Sequence, residues 1–308
     1  DIRLDQKVRA AWMYYIAGLN QSEIASQLGT SRPVVQRLIA AAKDEGIVSI
    51  GLHHPVANCL DYAQLLKEKY QLTDCNIMPV YSIESTLDSV TFGCYQLMAR
   101  YLQGDKPTIV GIGSGLTLKK TIKRIDFDSQ NTRCVALISA MNEHGQCNYY
   151  DDVPLLLARK IQGKYYQWPA PRYAQSREEY QMWSTNRLFR NVSTVARDSD
   201  VIFVGIGALG RQSPIFKDGF IDEQQLEELT ARGGVGEILG RFIDAEGNVV
   251  ESQINQMITS HDIRESNCPR IAAACGEDKR PAILAALKGG WINGLVTDEH
   301  TARWLLTR

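Results

Sequence analysis

Gln21-Ser22-Glu23-Ile24-Ala25-Ser26-Gln27-Leu28-Gly29-Thr30-Ser31-Arg32-Pro33-Val34-Val35-Gln36-Arg37-Leu38 reads as two short helices joined by a sharp turn. The first, Gln21 to Leu28, buries Ile24, Ala25 and Leu28 at helical spacing. Gly29-Thr30-Ser31 then turns the chain, with Gly29 tolerating backbone angles closed to other residues. Ser31 is a good N-cap, and Pro33 in the first turn of the next helix removes no needed hydrogen bond. Val35 and Leu38 anchor that second helix, and Ala25 is small enough for the two helices to cross closely. This pattern fits a helix-turn-helix; the alternative is a generic helical hairpin with a solvated polar face.

In the first reading, the outer face carries Ser31, Arg32, Gln36 and Arg37, with Gln21 at the start of the preceding helix. Arg pairs with guanine edges and Gln with adenine, while Thr30 and Ser31 at a helix start suit phosphate oxygens. The expected partner is double-stranded operator DNA. Net charge supports this only weakly: 308 residues hold 34 Lys+Arg and 35 Asp+Glu, a formal charge of -1. Residues 1–50 hold six basic residues (Arg3, Lys7, Arg9, Arg32, Arg37, Lys43) and five acidic ones (Asp1, Asp5, Glu23, Asp44, Glu45), a local charge of +1. Non-specific affinity per protomer is therefore modest, and tight binding calls for a multimer.

Outward from this stretch, Val8, Ala11, Trp12, Tyr15 and Ile16 predict a preceding helix that Gly18 stops. The helix from Pro33 runs to Lys43, Gly46 closes it, and Ile47-Val48-Ser49-Ile50-Gly51-Leu52 alternates like a short strand or wing. His53-His54-Pro55 marks a boundary, giving domains 1–54 and 55–308. Leu60, Ala63, Leu65, Leu66 and Tyr70 predict a linking helix.

From Cys75 onward apolar strands alternate with helices. Strands are expected at Cys75–Val80, Thr108–Ile112, Cys134–Ser139, Val201–Ile206, Ile271–Cys275 and Gly294–Val296. Helices are expected at Ser89–Leu102, Leu116–Ile125, Val153–Lys160, Glu178–Arg190 and Pro281–Leu287. The alternation predicts an α/β domain with a largely parallel sheet.

Two glycine-rich loops follow strands in this domain. Gly111-Ile112-Gly113-Ser114-Gly115-Leu116-Thr117 enters a helix, and such a loop exposes backbone N–H groups to an anion; a tight turn without ligand is the alternative. Gly205-Ile206-Gly207-Ala208-Leu209-Gly210 has dinucleotide-loop spacing but leads into Arg211-Gln212-Ser213-Pro214 rather than a helix. It is expected at the rim of the same cleft, with no nicotinamide cofactor.

No nucleophile–base pair or zinc-ligand spacing emerges, so no catalytic residue, cofactor or metal is expected. The seven cysteines are odd in number and scattered, as in reduced, mostly buried thiols. No apolar run is long enough to span a membrane, and Asp1–Asp5 contains no secretory h-region. A cytoplasmic protein with no membrane partner is expected.

Four segments resemble the SorC (DeoR-like, sugar-binding) family of bacterial transcriptional regulators, in order along nearly the whole chain. They are Tyr14-Tyr15 with Gly18–Ala25; Val201–Gly207; Gly234–Gly247; and Lys288–Asp298. The resemblance implies a winged helix-turn-helix followed by a Rossmann-like, sugar-phosphate-isomerase-like domain without catalysis. It also implies a homotetramer, a dimer of dimers, whose DNA binding responds to a sugar, polyol or phosphorylated effector. An active sugar-phosphate isomerase or hydrolase with a fused DNA-binding module is the competing reading.

The same resemblance places an anion loop at Gly113, Ser114, Gly115 and Thr117, and carries ligand positions onto Glu237 and Lys288. Glu237 stands where Asp is usual, and either residue has a structural alternative, as an ion pair or cap and as a solvated helix end. Ser139, in Ile138-Ser139-Ala140-Met141-Asn142, stands where the family often has Gly-Gly facing the ligand. That stretch has no lysine, so no covalent effector is expected. Trp168, in Trp168-Pro169-Ala170-Pro171-Arg172 at the implied cleft mouth, faces either a sugar or the core.

Overall fold

The computed structural model describes residues 2–50, 54–147 and 153–308. Two compact units form, Asp1–His54 and Pro55–Arg308.

The first unit contains α1 (Ile2–Tyr15), α2 (Gln21–Gln27) and α3 (Arg32–Asp44). Ala10, Ile24, Ala25, Val35 and Ile39 form its core. Asn20 starts α2 with a capping box: its side chain accepts from the Ser22 and Glu23 amides, and Glu23 accepts from the Asn20 amide at 2.7 Å. The turn into α3 uses Gly29 at φ 64° and a hydrogen bond from the Thr30 amide to the Ala25 carbonyl, 2.9 Å.

Only part of the apolar stripe expected on α1 is internal. Ala10 and Ala11 face in, whereas Val8, Trp12 (58% exposed) and Ile16 face out. The small alanines let α1 lie close to α3, which sends the large residues to the opposite side.

The expected wing is corrected. Residues 47–50 form no strand, and residues 51–53 lie outside the described residues. The Val48 amide instead donates to the Ala42 carbonyl at 3.2 Å, so the chain folds back on the end of α3. That uses a backbone donor a wing strand would need for pairing.

The second unit begins with α4 (Pro55–Tyr70), β1 (Asp74–Met78), α5 (Ile83–Leu102), β2 (Thr108–Ile112) and α6 (Leu116–Lys123). It continues through β3 (Thr132–Ala136), α7 (Val153–Ile161), β4 (Lys164–Tyr166), α8 (Arg177–Thr185), α9 (Arg187–Arg197) and β5 (Val201–Val204). A smaller subdomain follows: β6 (Gly207–Ala208), α10 (Pro214–Lys217), α11 (Glu223–Ala231), β7 (Gly234–Ile238), β8 (Arg241–Asp244) and α12 (Gln253–Met257). The chain then re-enters the main sheet with β9 (Arg270–Ala273), α13 (Arg280–Lys288), β10 (Gly294–Asp298) and α14 (Glu299–Leu306).

Seven strands form one parallel sheet in the order β1-β10-β9-β5-β2-β3-β4. Alternate residues along its strands feed two cores. Ile109, Ile202 and Val204 pack with α4, α9, α13 and α14, whereas Val110, Ile112, Val201 and Phe203 pack with α5, α6 and α7. Alternation in a strand sends neighbours to opposite faces, so helices cover both. From β2 the strand order runs outward through β3 to β4; from β5 it runs the other way through β9 to β10. The topology therefore reverses between β5 and β2, where crevices form outside the strand carboxyl ends.

The single helix expected over Glu178–Arg190 is two. Asn186 adopts an extended conformation, ends α8, and accepts from the Leu188 and Phe189 amides to start α9. The three-stranded antiparallel sheet β6-β7-β8 and the three-residue edge strand β4 had no counterpart among the expected elements.

Candidate functional site

The loop after β2 reaches the switch point through a close approach. The Gly113 amide donates to the Phe203 carbonyl of β5 at 2.9 Å, and a Cβ at Gly113 would stand 3.1 Å from Leu239 Cδ2. Gly115, at φ 112°, is the N-cap of α6, a conformation a side chain would oppose. Ser114, Gly115, Leu116 and Thr117 all line a cavity of about 460 Å³. The other glycine loop lines it as well, through Gly205, Ile206, Gly207 and Ala208.

The subdomain supplies the acidic group. Gly207 pairs with Glu237 in the β6–β7 ladder, and the Glu237 side chain lies across that bare backbone, where any Cβ at 207 would collide with it. Glu237 Oε2 accepts from the Gly240 amide at 2.7 Å. The β7–β8 turn has both central residues at positive φ, Leu239 at 50° and Gly240 at 76°. A tight hairpin demands this geometry; it also strains Leu239 and directs its side chain to the cavity. Burial pushes the Glu237 carboxyl up, opposed by the Gly240 amide, Arg172 and Lys279.

The loop after β9 completes the lining with Cys275 and Lys279. Burial, with Asp298, pushes the Cys275 thiol up to about 11, so it stays protonated at neutral pH. Arg172 lines the cavity from the segment preceding α8, and Ser213, Asp218 and Phe220 close it around α10.

Of the effector residues expected from sequence, Ser114, Gly115, Thr117 and Glu237 line one cavity, and Gly113 supports it from behind. Ser139 does not line it. Its Oγ accepts from the Met141 amide at 3.0 Å, and its carbonyl accepts from Arg172 Nε and Nη2 at 3.3 Å. Lys288 does not line this cavity: it sits at the far end of α13 and pairs with Glu246 at 3.0 Å. Nine residues of helix rise about 13 Å, which separates it from Lys279, the lysine that does line the cavity.

A third strand–glycine–helix passage, Ala273 through Gly276 to Pro281, carries Lys279 and was readable beside the other two. Trp168 belongs to the core, edge-on to Phe189 with centroids 5.1 Å apart.

In the first unit Ser31, Arg32, Gln36 and Arg37 are exposed along one side of α3, and Gln21 and Thr30 are half-buried beside them. Arg32 Nε donates to Gln21 Oε1 at 3.3 Å, joining the starts of α2 and α3. Ser31 occupies the N-cap position but makes no side-chain capping bond.

The family model Sugar-bind, a sugar-binding domain, matches residues 54–307. The chain is 30% identical over 302 residues to the erythritol catabolism regulatory protein EryD of Brucella abortus, covering 97% of this chain and 95% of that one. The chain belongs to the SorC/DeoR-like family of sugar-binding transcriptional regulators. It is also 31% identical to the transcriptional regulator LsrR of Escherichia coli K12 over 313 residues, 98% of this chain and 94% of that protein. Among solved structures, the full-length sorbitol operon regulator SorC from Klebsiella pneumoniae shares this family fold. It superposes with a TM-score of 0.73 at 24% identity, covering 99% of this chain and 100% of that one. Among the described residues, no helix of this family member is long and apolar enough to cross a membrane.

Proposed function

We propose that this chain regulates transcription of a carbohydrate or polyol catabolic operon. Helices α2 and α3 act as a helix-turn-helix on double-stranded operator DNA, with Arg32, Gln36 and Arg37 toward base edges and Thr30 and Ser31 toward phosphates. The cavity takes a sugar, polyol or phosphorylated effector. The observation that carries this reading is the convergence of Ser114–Thr117, Glu237 and Lys279 on one cavity at the topological switch point. Glu237 accepts hydrogen bonds from hydroxyls. Lys279 and the α6 N-terminus favour electron-rich oxygens or a phosphate.

The relatives' descriptions support the same class, one of them governing erythritol catabolism. The regulator acts without turnover, in the cytoplasm, as a homotetramer whose several DNA-reading units offset the weak charge of each. Effector closure of the cavity shifts protomer packing and with it the spacing of those units.

The test pairs two assays. Thermal unfolding is followed with C4–C6 alditols, sugars and their phosphates, since a ligand specific to the folded state raises Tm with concentration. Gel shifts on the DNA upstream of the chain's own gene then use the hits, each checked for chemical conversion. At least one compound should raise Tm and alter DNA retention unchanged. A panel with no concentration-dependent shift would sink the effector assignment.

A further inference from the structure

Beside the first cavity lies a second, of about 520 Å³, with Asn142, Gln175, Asp222 and Gln253 in its wall. Three residues line both spaces: Arg172, Asp218 and Phe220. Arg172 is the largest of them and is firmly placed. It is 7% exposed, its Nε and Nη2 both donate to the Ser139 carbonyl, and its guanidinium stacks over the Phe220 ring at 3.7 Å. The guanidinium and the ring beneath it, held together by cation–π attraction, stand where the two spaces adjoin. The far wall is rich in amide and carboxylate side chains, the groups that bind hydroxyls, so the second space suits a further polyhydroxylated segment.

We propose that Arg172 determines effector length: it confines the ligand to the first cavity, and its removal opens the second as an added carbohydrate subsite. This rests on the first cavity being the effector chamber, and the experiment separates the two claims. Full-length wild type, Arg172→Ala and Arg172→Met are compared for thermal response to erythritol, xylitol, sorbitol and their phosphates. The same proteins are tested with maltitol, an open-chain alditol carrying one glucose ring. Crystal structures of both variants accompany the assays.

Arg172→Ala should show one continuous space and bind maltitol about tenfold more tightly than wild type does. Arg172→Met, which keeps a long side chain in the gap, should keep two spaces and show no such gain. Two separate cavities in Arg172→Ala overturn the proposal, as does a short-alditol response without a maltitol gain. An equal gain in Arg172→Met also overturns it, because charge rather than bulk would then be the barrier. If no short alditol or phosphate shifts wild type, the effector reading fails, and the partition is still judged by whether Arg172→Ala crystals contain one space or two.

Discussion

Glu237 and Gly207 are partners across the β6–β7 ladder, and the carboxylate of one occupies the space that a side chain on the other would need. The blocking atoms belong to the flexible end of Glu237, so a methyl group at 207 displaces the carboxylate rather than the sheet. Gly207→Ala should therefore cost only about 1 kcal/mol, one lost hydrogen bond to the Gly240 amide. Effector affinity should fall about tenfold or more with the misplaced carboxylate. Urea unfolding and ligand titration on the same preparation check both halves.

Gly240 behaves differently although it belongs to the same turn. It sits at φ 76°, and a Cβ there would stand 2.9 Å from Ile258 Cδ1 and from the Tyr173 hydroxyl. Gly240→Ala should lose about 2–4 kcal/mol, combining backbone strain with overpacking. A urea midpoint equal to wild type would refute the turn assignment.

Lys279, just before α13, and Lys288, at its end, give a direct contrast. Lys279→Met should weaken effector binding about tenfold, as loss of one charge-assisted contact does. Lys288→Met removes only a surface ion pair with Glu246 and should leave affinity unchanged and stability within about 1 kcal/mol. Calorimetric titration of both variants decides between them.

Much of the fold was legible because β2, β5 and β9 are short, largely apolar runs with a glycine within three residues of their ends, a pattern that suits buried strands leading into close turns. The α2–α3 turn was legible for the same kind of reason, since Gly29 and Pro33 each act locally. Tertiary placement was not. The direction in which α1 buries its residues depends on how near α3 lies, and periodicity alone cannot choose between the Ala10–Ala11 side and the Trp12 side. Lys288 was carried over from the resemblance alone, and Lys279, which lines the cavity, lies nine residues earlier, at the other end of the helix. The stretch ending at Arg172 was expected at the cleft mouth, but which of its side chains faces the cavity depends on Ser139 and Phe220, distant in sequence on either side.

His261 makes stability sensitive to acid. Burial lowers its pKa from 6.5 to about 4, and its Nε2 pairs with Ser266 Oγ at 2.8 Å. Between these values the unfolded ring binds a proton and the folded ring does not. The unfolding free energy should thus fall as pH drops from 6.5 to 4, by about 3 kcal/mol over the window. His261→Gln, which cannot titrate, should flatten that part of the profile in urea melts at pH 7, 5.5 and 4.5.

On the DNA side, Arg32→Ala and Arg37→Ala should each weaken operator retention by about 1–3 kcal/mol. Effector-induced thermal shifts should stay at the wild-type size. Undiminished DNA affinity in both variants would remove α3 from the role of reading helix.

The cavity draws its lining from Leu87 through Lys279, so no short piece of the polypeptide contains a usable site. A nascent chain still missing β9 on the ribosome has no receptor to fill, however complete its first strands are. Under the proposed function, the effector can therefore engage only copies folded through Lys279, and it should protect those copies from proteolysis as its concentration rises. Signal reception and completion of the fold would then be one molecular event, and half-made regulators would not answer the effector.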